Sequence, residues 1–183
     1  MTTNKQLMTL SELVKDPESA FKNDQLKSRL NTPPPKQWVK TNQYANNSLY
    51  LPIDKVELMM DAIFQEWKVE VLEVSQLFNA VRVSVRIHYK NPINAEWYYH
   101  DGVGAKELQT DAGSGTLQPD FSNIKKGACE MALPIAKTNA IKDACDHLGK
   151  LFGRDLNRKN TINFSPAYEP DIDMNLLKSG RAE

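Results

Sequence analysis

Residues 81–90 read VRVSVRIHYK, and this stretch decides the fold class. Apolar side chains occupy every second position from Val81 to Tyr89. Because successive side chains of a strand point to opposite faces of the sheet, this alternation predicts a half-buried antiparallel strand. The polar face carries four groups that are basic or can become so: Arg82, Arg86, His88 and Lys90.

The flanking segments predict two partner strands and a preceding helix. Residues from Trp67 onward also alternate with a period of two, and the turn residues 91–94 lead into an aromatic-rich strand at 96–100. Three strands with short connections form a meander. Before them, apolar residues recur every three or four positions over 54–65, which predicts a short helix with Asp54 as its cap.

The second half of the chain predicts a loop followed by a long helix. Residues 101–118 hold four glycines and few large apolar residues, so we expect a long loop or a short hairpin there. A helix over 124–152, capped by Ser122, has a small or apolar residue at every fourth position, which lets it lie close to a sheet or another helix. Pro134 is expected to kink or divide it.

These elements predict an α+β fold: a three-stranded antiparallel meander packed on a long kinked helix and preceded by a short helix. The folded domain is expected over residues 50–160, followed by a polar tail at 161–183. Residues 1–49, with three consecutive prolines at 33–35, form an arm that is either loosely attached or docked on a neighbouring subunit. A disordered leader is the alternative.

The composition excludes several classes of protein. The 183 residues carry 23 basic and 23 acidic side chains, and no apolar run reaches the roughly 20 residues of a membrane span. The first residues lack the apolar core of an export signal, so we expect a cytoplasmic protein. Cys129 and Cys145 are expected to be buried and reduced.

The charges are nevertheless segregated along the neutral chain. Residues 125–159 hold eight basic and four acidic side chains. Together with the cations of the central strand they suit contacts to successive phosphates of an extended polyanion, which give affinity without reading sequence. The alternative is an ordinary solvated sheet face and helix surface.

Catalytic motifs are missing. His88, His100 and His147 with Asp101 lack the spacing of metal ligands, and the glycine pairs around 102–104 and 113–115 do not form a phosphate-binding loop. No nucleophile motif is present. We therefore expect a protein that is not an enzyme and needs no cofactor or metal.

Three aromatic residues in the third strand are candidates for stacking on bases. Alternation places Trp97 and Tyr99 on one face, where they are most simply core residues. Tyr98 points the other way, which makes it the better stacking candidate.

Three segments together resemble a known family. They are Val85 to Lys90 (VRIHYK), Tyr99 to Ala105 (YHDGVGA), and the helix step Ala140 to Ala144 (AIKDA) followed by Leu148 to Gly153. Their order and spacing are similar to a Val-Arg-Val strand, a Gly-x-Gly turn and a helix ending in Phe-Gly in the Rad-fifty-two/Rad-twenty-two family of single-strand annealing proteins, which includes small phage recombinases. The likeness spans about residues 50–158.

The resemblance implies a closed ring of subunits with single-stranded DNA in a basic outer groove. Annealing would then need neither ATP nor metal and would serve recombination and double-strand break repair. A 5'-3' exonuclease and a host single-strand binding protein are the implied partners, and no membrane is involved.

The resemblance also implies site residues, to which we add the strand arginines. Lys55, Lys90, Lys125 or Lys126, and Lys150 match basic positions of the family by place. Asp146-His147 departs from the adjacent basic pair of the eukaryotic members, and Lys142 and Arg154 are the candidates to replace that pair. The predicted DNA-binding residues are Lys55, Arg82, Arg86, Lys90, Lys125, Lys126, Lys142, Lys150 and Arg154.

Two other functions stay open. A single-strand DNA protector would coat the strand without annealing it. A structural, ring-forming assembly protein would carry its basic residues incidentally.

Overall fold

The structure is a computed structural model that describes residues 17–111 and 121–159. Its regular elements in chain order are α1 (Pro17–Leu30), β1 (Lys40–Asn42), β2 (Ser48–Tyr50), α2 (Ile53–Phe64), β3 (Trp67–Leu77), β4 (Ala80–Lys90), β5 (Trp97–Glu107) and α3 (Ala128–Asp146). Short 3-10 turns lie at Lys36–Trp38, Phe121–Asn123 and Lys150–Phe152. Among the described helices, none is long and apolar enough to cross a membrane.

The predicted meander is confirmed. β3, β4 and β5 form an antiparallel sheet in that order, with β4 in the centre, and β1 and β2 form a separate hairpin. On β4 the alternation holds: Val83, Val85 and Ile87 are almost fully buried. A bulge between Val71 and Glu73 shifts the register of β3 against β4.

β5 is longer than predicted because its glycines serve close packing. The strand continues through Glu107, so the loop or hairpin expected from residue 101 is wrong for 101–107. Gly102 and Gly104 are buried against α3, where a Cβ on Gly102 would lie 2.3 Å from the Ala140 carbonyl oxygen. They are strand residues with a helix backbone against them, not a turn.

α3 is shorter than predicted but is not divided. It begins after Gly127, whose φ of 78° is left-handed, and not at Ser122, which lies in a 3-10 turn. It ends at Asp146, and Pro134 lies on its exposed side without interrupting it. The face that contacts the sheet is lined by alanines, as predicted: Ala128, Ala132, Ala136, Ala140 and Ala144.

The start of α2 and the exposure of one cysteine also differ from the predictions. α2 begins after Pro52, and Asp54 lies inside its first turn without capping it. Of the two cysteines, which are both unpaired, Cys145 is buried but Cys129 is exposed.

The part of the predicted arm that the structure describes packs against the core of its own chain. Leu30 is buried in the main core, and Leu26, Trp38 and Val39 pack against that core. The end of α1 also lies tight against the segment after α3, since a Cβ on Gly149 would be 2.3 Å from the Leu30 carbonyl oxygen. Residues 17–49 therefore contribute to this fold, while contacts of the arm between subunits stay a prediction.

Candidate nucleic-acid interface

The sheet has one face covered by α3 and one open face, which we call the outer face. The register pairs Arg86 with Asp101, His88 with Tyr99 and Lys90 with Trp97. Because cross-strand partners project from the same side, all of these side chains share the outer face, opposite Gly102 and Gly104. The cations of β4 and the aromatic residues of β5 thus form one surface.

Trp97 and Tyr99 are exposed on this face, so their predicted place in the core is wrong. Their residues are 51% and 57% exposed. Tyr98 instead lies on the inner side of β5. Its ring centre is 6.1 Å from that of Tyr89, an inner-face residue of β4. The stacking candidates on the outer face are therefore Trp97 and Tyr99, and not Tyr98.

Arg86 is held at the centre of the outer face by two partners. Its Nε and Nη2 donate to the two carboxylate oxygens of Asp101 at 2.7 and 2.8 Å. Its guanidinium carbon lies 4.2 Å from the centre of the Tyr99 ring. The hydrogen bond between the two side chains raises the pKa of Arg86 and lowers that of Asp101. Arg86 is therefore a charged side chain that Asp101 holds in one orientation and that stacks on the Tyr99 ring.

The other cations of β4 also lie beside carboxylates. Lys90 Nζ lies 2.6 Å from Glu66 Oε1, and Arg82 Nη1 lies 3.7 Å from Glu73 Oε2. The outer face is therefore a ladder of ion pairs and not a surface of uncompensated positive charge. These pairs are solvent-accessible, and such pairs contribute on average no more than about 1 kcal/mol, so a phosphate can compete for the cations.

His88 and Glu70 complete the ladder. His88 Nε2 lies 2.8 Å from Glu70 Oε2, and this hydrogen bond lowers the pKa of Glu70. The His88 ring is also 6.2 Å from that of Tyr99.

Two predicted lysines lie against aromatic residues near the hairpin. Lys55 Nζ is 5.8 Å from the Trp38 ring centre and 3.0 Å from Asp54 Oδ2. Lys142 is half-buried, with its Nζ 5.4 Å from the Tyr50 ring centre, and burial lowers its pKa. Neither contact is readable from the sequence, because both aromatic residues come from the segment interpreted as an arm or its boundary.

Arg154 has a structural role. Its Nε donates to the Asp146 carbonyl oxygen at 2.8 Å, and its Nη2 donates to the His147 carbonyl oxygen. A cation that bonds the last carbonyls of a helix stabilises its C-terminus. Arg154 therefore closes α3 with two of its N–H groups and keeps the others for a further acceptor.

The remaining predicted lysines are not gathered with the others. Lys125 and Lys126 are exposed just before α3, and Lys150 is half-buried just after it. The axis of α3 separates these positions by about 27 Å. The structure thus brings together Arg82, Arg86 and Lys90 and leaves the rest at separate places.

Acidic groups occupy the C-terminal half of α3. Burial and the neighbouring Asp143 raise the pKa of Asp146 to about 6. Asp143 Oδ2 accepts a hydrogen bond from the Val103 amide at 2.9 Å, and the Asn139 side chain donates to the Ala105 carbonyl oxygen. These side chains bond the free edge of β5, so the departure at Asp146-His147 belongs to a region with a structural role.

Comparison with known proteins adds no assignment. No protein-family model matches the chain, and no curated protein matches it either. Within residues 17–111 and 121–159, no cluster of three or more histidine, cysteine or acidic side chains has the arrangement of a metal site.

Proposed function

We propose that this protein binds single-stranded DNA on the outer face of its sheet and anneals complementary strands without ATP, as a homo-oligomeric ring in recombination and double-strand break repair. The observation that carries the proposal is the pair of exposed rings, Trp97 and Tyr99, beside the cations Arg86 and Lys90 on one open sheet face. The likeness to the Rad-fifty-two family in three segments supports annealing as the activity.

The outer face offers both contacts that unspecific single-strand binding needs. Trp97 and Tyr99 are two residues apart on one strand, a rise of about 6.6 Å, so their rings can take two bases of one strand. Base stacking on an aromatic side chain is worth about 1 to 3 kcal/mol and tolerates any base. Arg86 and Lys90 can contact the phosphates on either side.

The paired carboxylates shape this affinity. A phosphate must displace Asp101 or Glu66 from its cation, so the electrostatic contribution per contact is smaller than that of an unpaired lysine. Stacking then supplies a larger share of the binding free energy. We expect a shallower dependence of affinity on salt concentration than for a binder that relies on phosphates alone.

Annealing requires little chemistry from the protein. Base pairing supplies the free energy, and the protein reduces phosphate repulsion and keeps the bound strand extended. A strand held by a few stacked bases and phosphate contacts leaves its other bases accessible to a complementary strand. None of these steps uses a nucleoside triphosphate.

Uncovered apolar residues support self-association. Val71 and Val74 share the inner side of β3 with the core but are 46% and 54% exposed, and Leu77 and Phe78 at the β3–β4 turn are 50% and 74% exposed. β3 is an edge strand of the sheet, and exposed apolar side chains on such a strand suit contact with another protein surface. These residues are where subunits of the proposed ring would meet.

The binding step is tested with a labelled single-stranded oligonucleotide and the variants Trp97→Ala and Tyr99→Ala. Each is expected to weaken binding about tenfold, the loss of one stacked base. Tyr44→Ala is the matched control, because Tyr44 is a fully exposed ring outside the sheet face, in the turn between β1 and β2. Affinity unchanged in both sheet variants would overturn the proposed interface.

The activity is tested by mixing two complementary labelled oligonucleotides with the protein and no ATP. Faster pairing than without protein supports annealing. Slower pairing with tight binding identifies a single-strand protector instead.

The second candidate is a structural assembly protein, which the carboxylate-paired cations favour. It predicts large oligomers in light scattering with no length-dependent binding to oligonucleotides at moderate salt.

A further inference from the structure

A cavity of about 620 Å³ lies on the inner side of the sheet, away from Trp97 and Tyr99. α1 forms one wall, and the other walls come from the β4–β5 turn, the inner face of that end of the sheet, and the segment around the end of α3. Its volume lies within the range of about 300 to 1,000 Å³ that is usual for small-molecule sites.

One wall of this cavity is a continuous row of rings. The ring centres of Tyr98 and Tyr89 are 6.1 Å apart, those of Tyr89 and His100 are 5.6 Å apart, and those of His100 and His147 are 5.5 Å apart. The first two pairs are nearly parallel, with interplanar angles of 26° and 27°. Tyr89 Oη and His100 Nε2 lie 3.1 Å apart, within hydrogen-bond distance, which fixes the row. The row gives the cavity an extended aromatic wall.

The charged groups of the lining favour an anion. Among the residues that the structure describes, Lys27 on α1 and Arg154 line the cavity, and no carboxylate does. Asp143 and Asp146, by contrast, line two further cavities of the molecule. Burial lowers the pKa of His100, His147 and Arg154 lower it further, and Asp101 on the outer face raises it.

Arg154 is preorganised in this wall. Its two bonds to main-chain carbonyls hold the guanidinium in place, and an arginine side chain has further N–H groups to donate. Lys27 lies on the exposed surface of α1 at the same cavity. Glu96 accepts a hydrogen bond from the Tyr98 hydroxyl at 2.9 Å but is not part of the lining.

We propose that this cavity binds a nucleoside monophosphate, with the base against the ring row and the phosphate at Lys27 and Arg154. The ligand is either a free mononucleotide or the phosphorylated end of a DNA strand. Cationic side chains make strong, charge-assisted hydrogen bonds to a phosphate group. The inference stands on the inner side of the sheet and does not depend on the proposed outer-face interface.

The test is a calorimetric titration of the full chain with deoxyadenosine 5'-monophosphate. Binding is expected at up to millimolar concentrations, with Lys27→Ala and Tyr98→Ala each weakening it about tenfold. Lys22→Ala is the matched control, because Lys22 lies on the same helix, pairs with Glu18 and does not line the cavity. Tyr98→Phe keeps the ring and should keep most of the affinity.

Further arms identify the ligand and separate this site from the outer face. Inorganic phosphate and deoxyadenosine are each expected to bind more weakly than the nucleotide. In a Trp97→Ala/Tyr99→Ala background, a 5'-phosphorylated oligonucleotide that binds better than its unphosphorylated form would identify a strand end, and equal binding would identify the free mononucleotide. Unfolding curves check that each variant is folded. No binding of the mononucleotide, or equal binding by folded Lys27→Ala and Tyr98→Ala variants, would overturn the proposal.

Discussion

The close contact between β5 and α3 can be tested by adding one methyl group at Gly104. A Cβ at this position would lie 2.3 Å from both the Ala136 carbonyl oxygen and the Ala140 amide nitrogen. Ordinary van der Waals contact begins at about 3.4 Å. Both obstacles are main-chain atoms of a helix, so no side-chain rotation can relieve the overlap. Gly104→Ala therefore forces α3 away from the sheet by about 1 Å.

The cost follows from how much surface moves with the helix. Extra methylenes in a packed core typically cost about 1 to 3 kcal/mol. Opening a gap of roughly 0.5 to 1 Å also forfeits a quarter to a half of the dispersion energy at each separated contact. Because α3 packs on both β4 and β5, we expect Gly104→Ala to lower the free energy of unfolding by about 3 kcal/mol. A typical domain has about 5 to 15 kcal/mol in total.

Urea unfolding followed by circular dichroism measures this change. The midpoint should fall while the slope stays constant. Ala105→Val is the matched control, since it adds methyl groups to the exposed neighbour on the outer face and should stay within about 0.5 kcal/mol of the wild type. Adding Ala136→Gly should not rescue Gly104→Ala. Rescue by that second substitution, or a change below about 0.5 kcal/mol from the first, would refute the backbone-contact argument.

Three further outcomes are expected. The pKa of Asp146 is raised to about 6, so the folded state holds a proton that the unfolded chain releases from pH 3.8 upward. This group therefore makes stability fall as the pH rises from 3.8 to about 6, and Asp146→Asn should remove that component from unfolding curves measured across this range. Asp101→Asn frees Arg86 and should raise affinity for single-stranded DNA and steepen its salt dependence by about one phosphate contact; lower affinity would contradict the role of that arginine. Iodoacetamide should alkylate Cys129 in the folded protein and Cys145 only after unfolding, because burial raises the pKa of the latter thiol. Mass spectrometry should show one adduct in the native chain, and two would count against the packing around Cys145.

The sequence predicts best where one pattern has one physical meaning. The alternation of β4 can only fit a half-buried strand, and the alanines of α3 can only face a close neighbour. Glycine is different, because it serves turns and close approaches equally. The composition of 101–118 therefore favours a loop. In the structure, however, Gly102 and Gly104 are the sheet residues that contact the alanine-lined face of α3.

The candidate site was less predictable because it depends on register and pairing. Alternation places Trp97 and Tyr99 on one face, which predicts most simply that they are core residues. The phase of the strand contradicts this, since Gly102 and Gly104 face the helix and residues 97 and 99 point the other way. That signal is present in the sequence, but it becomes readable only once β5 is known to continue past residue 101. The carboxylate partners of β4 come from other parts of the chain and leave no local signal at all.

β5 shows why packing and binding can be separated in this fold. Its inner positions Gly102 and Gly104 have no side chain, because the α3 backbone occupies that space. The outer positions Trp97 and Tyr99 face solvent, so the close contact with α3 places no restriction on them. A substitution on one side of the strand should then change stability with little effect on oligonucleotide affinity, and a substitution on the other side should do the reverse. In the double variant, the changes that Gly104→Ala and Trp97→Ala cause in the free energies of unfolding and of binding are therefore expected to add, since sites without shared partners do not couple.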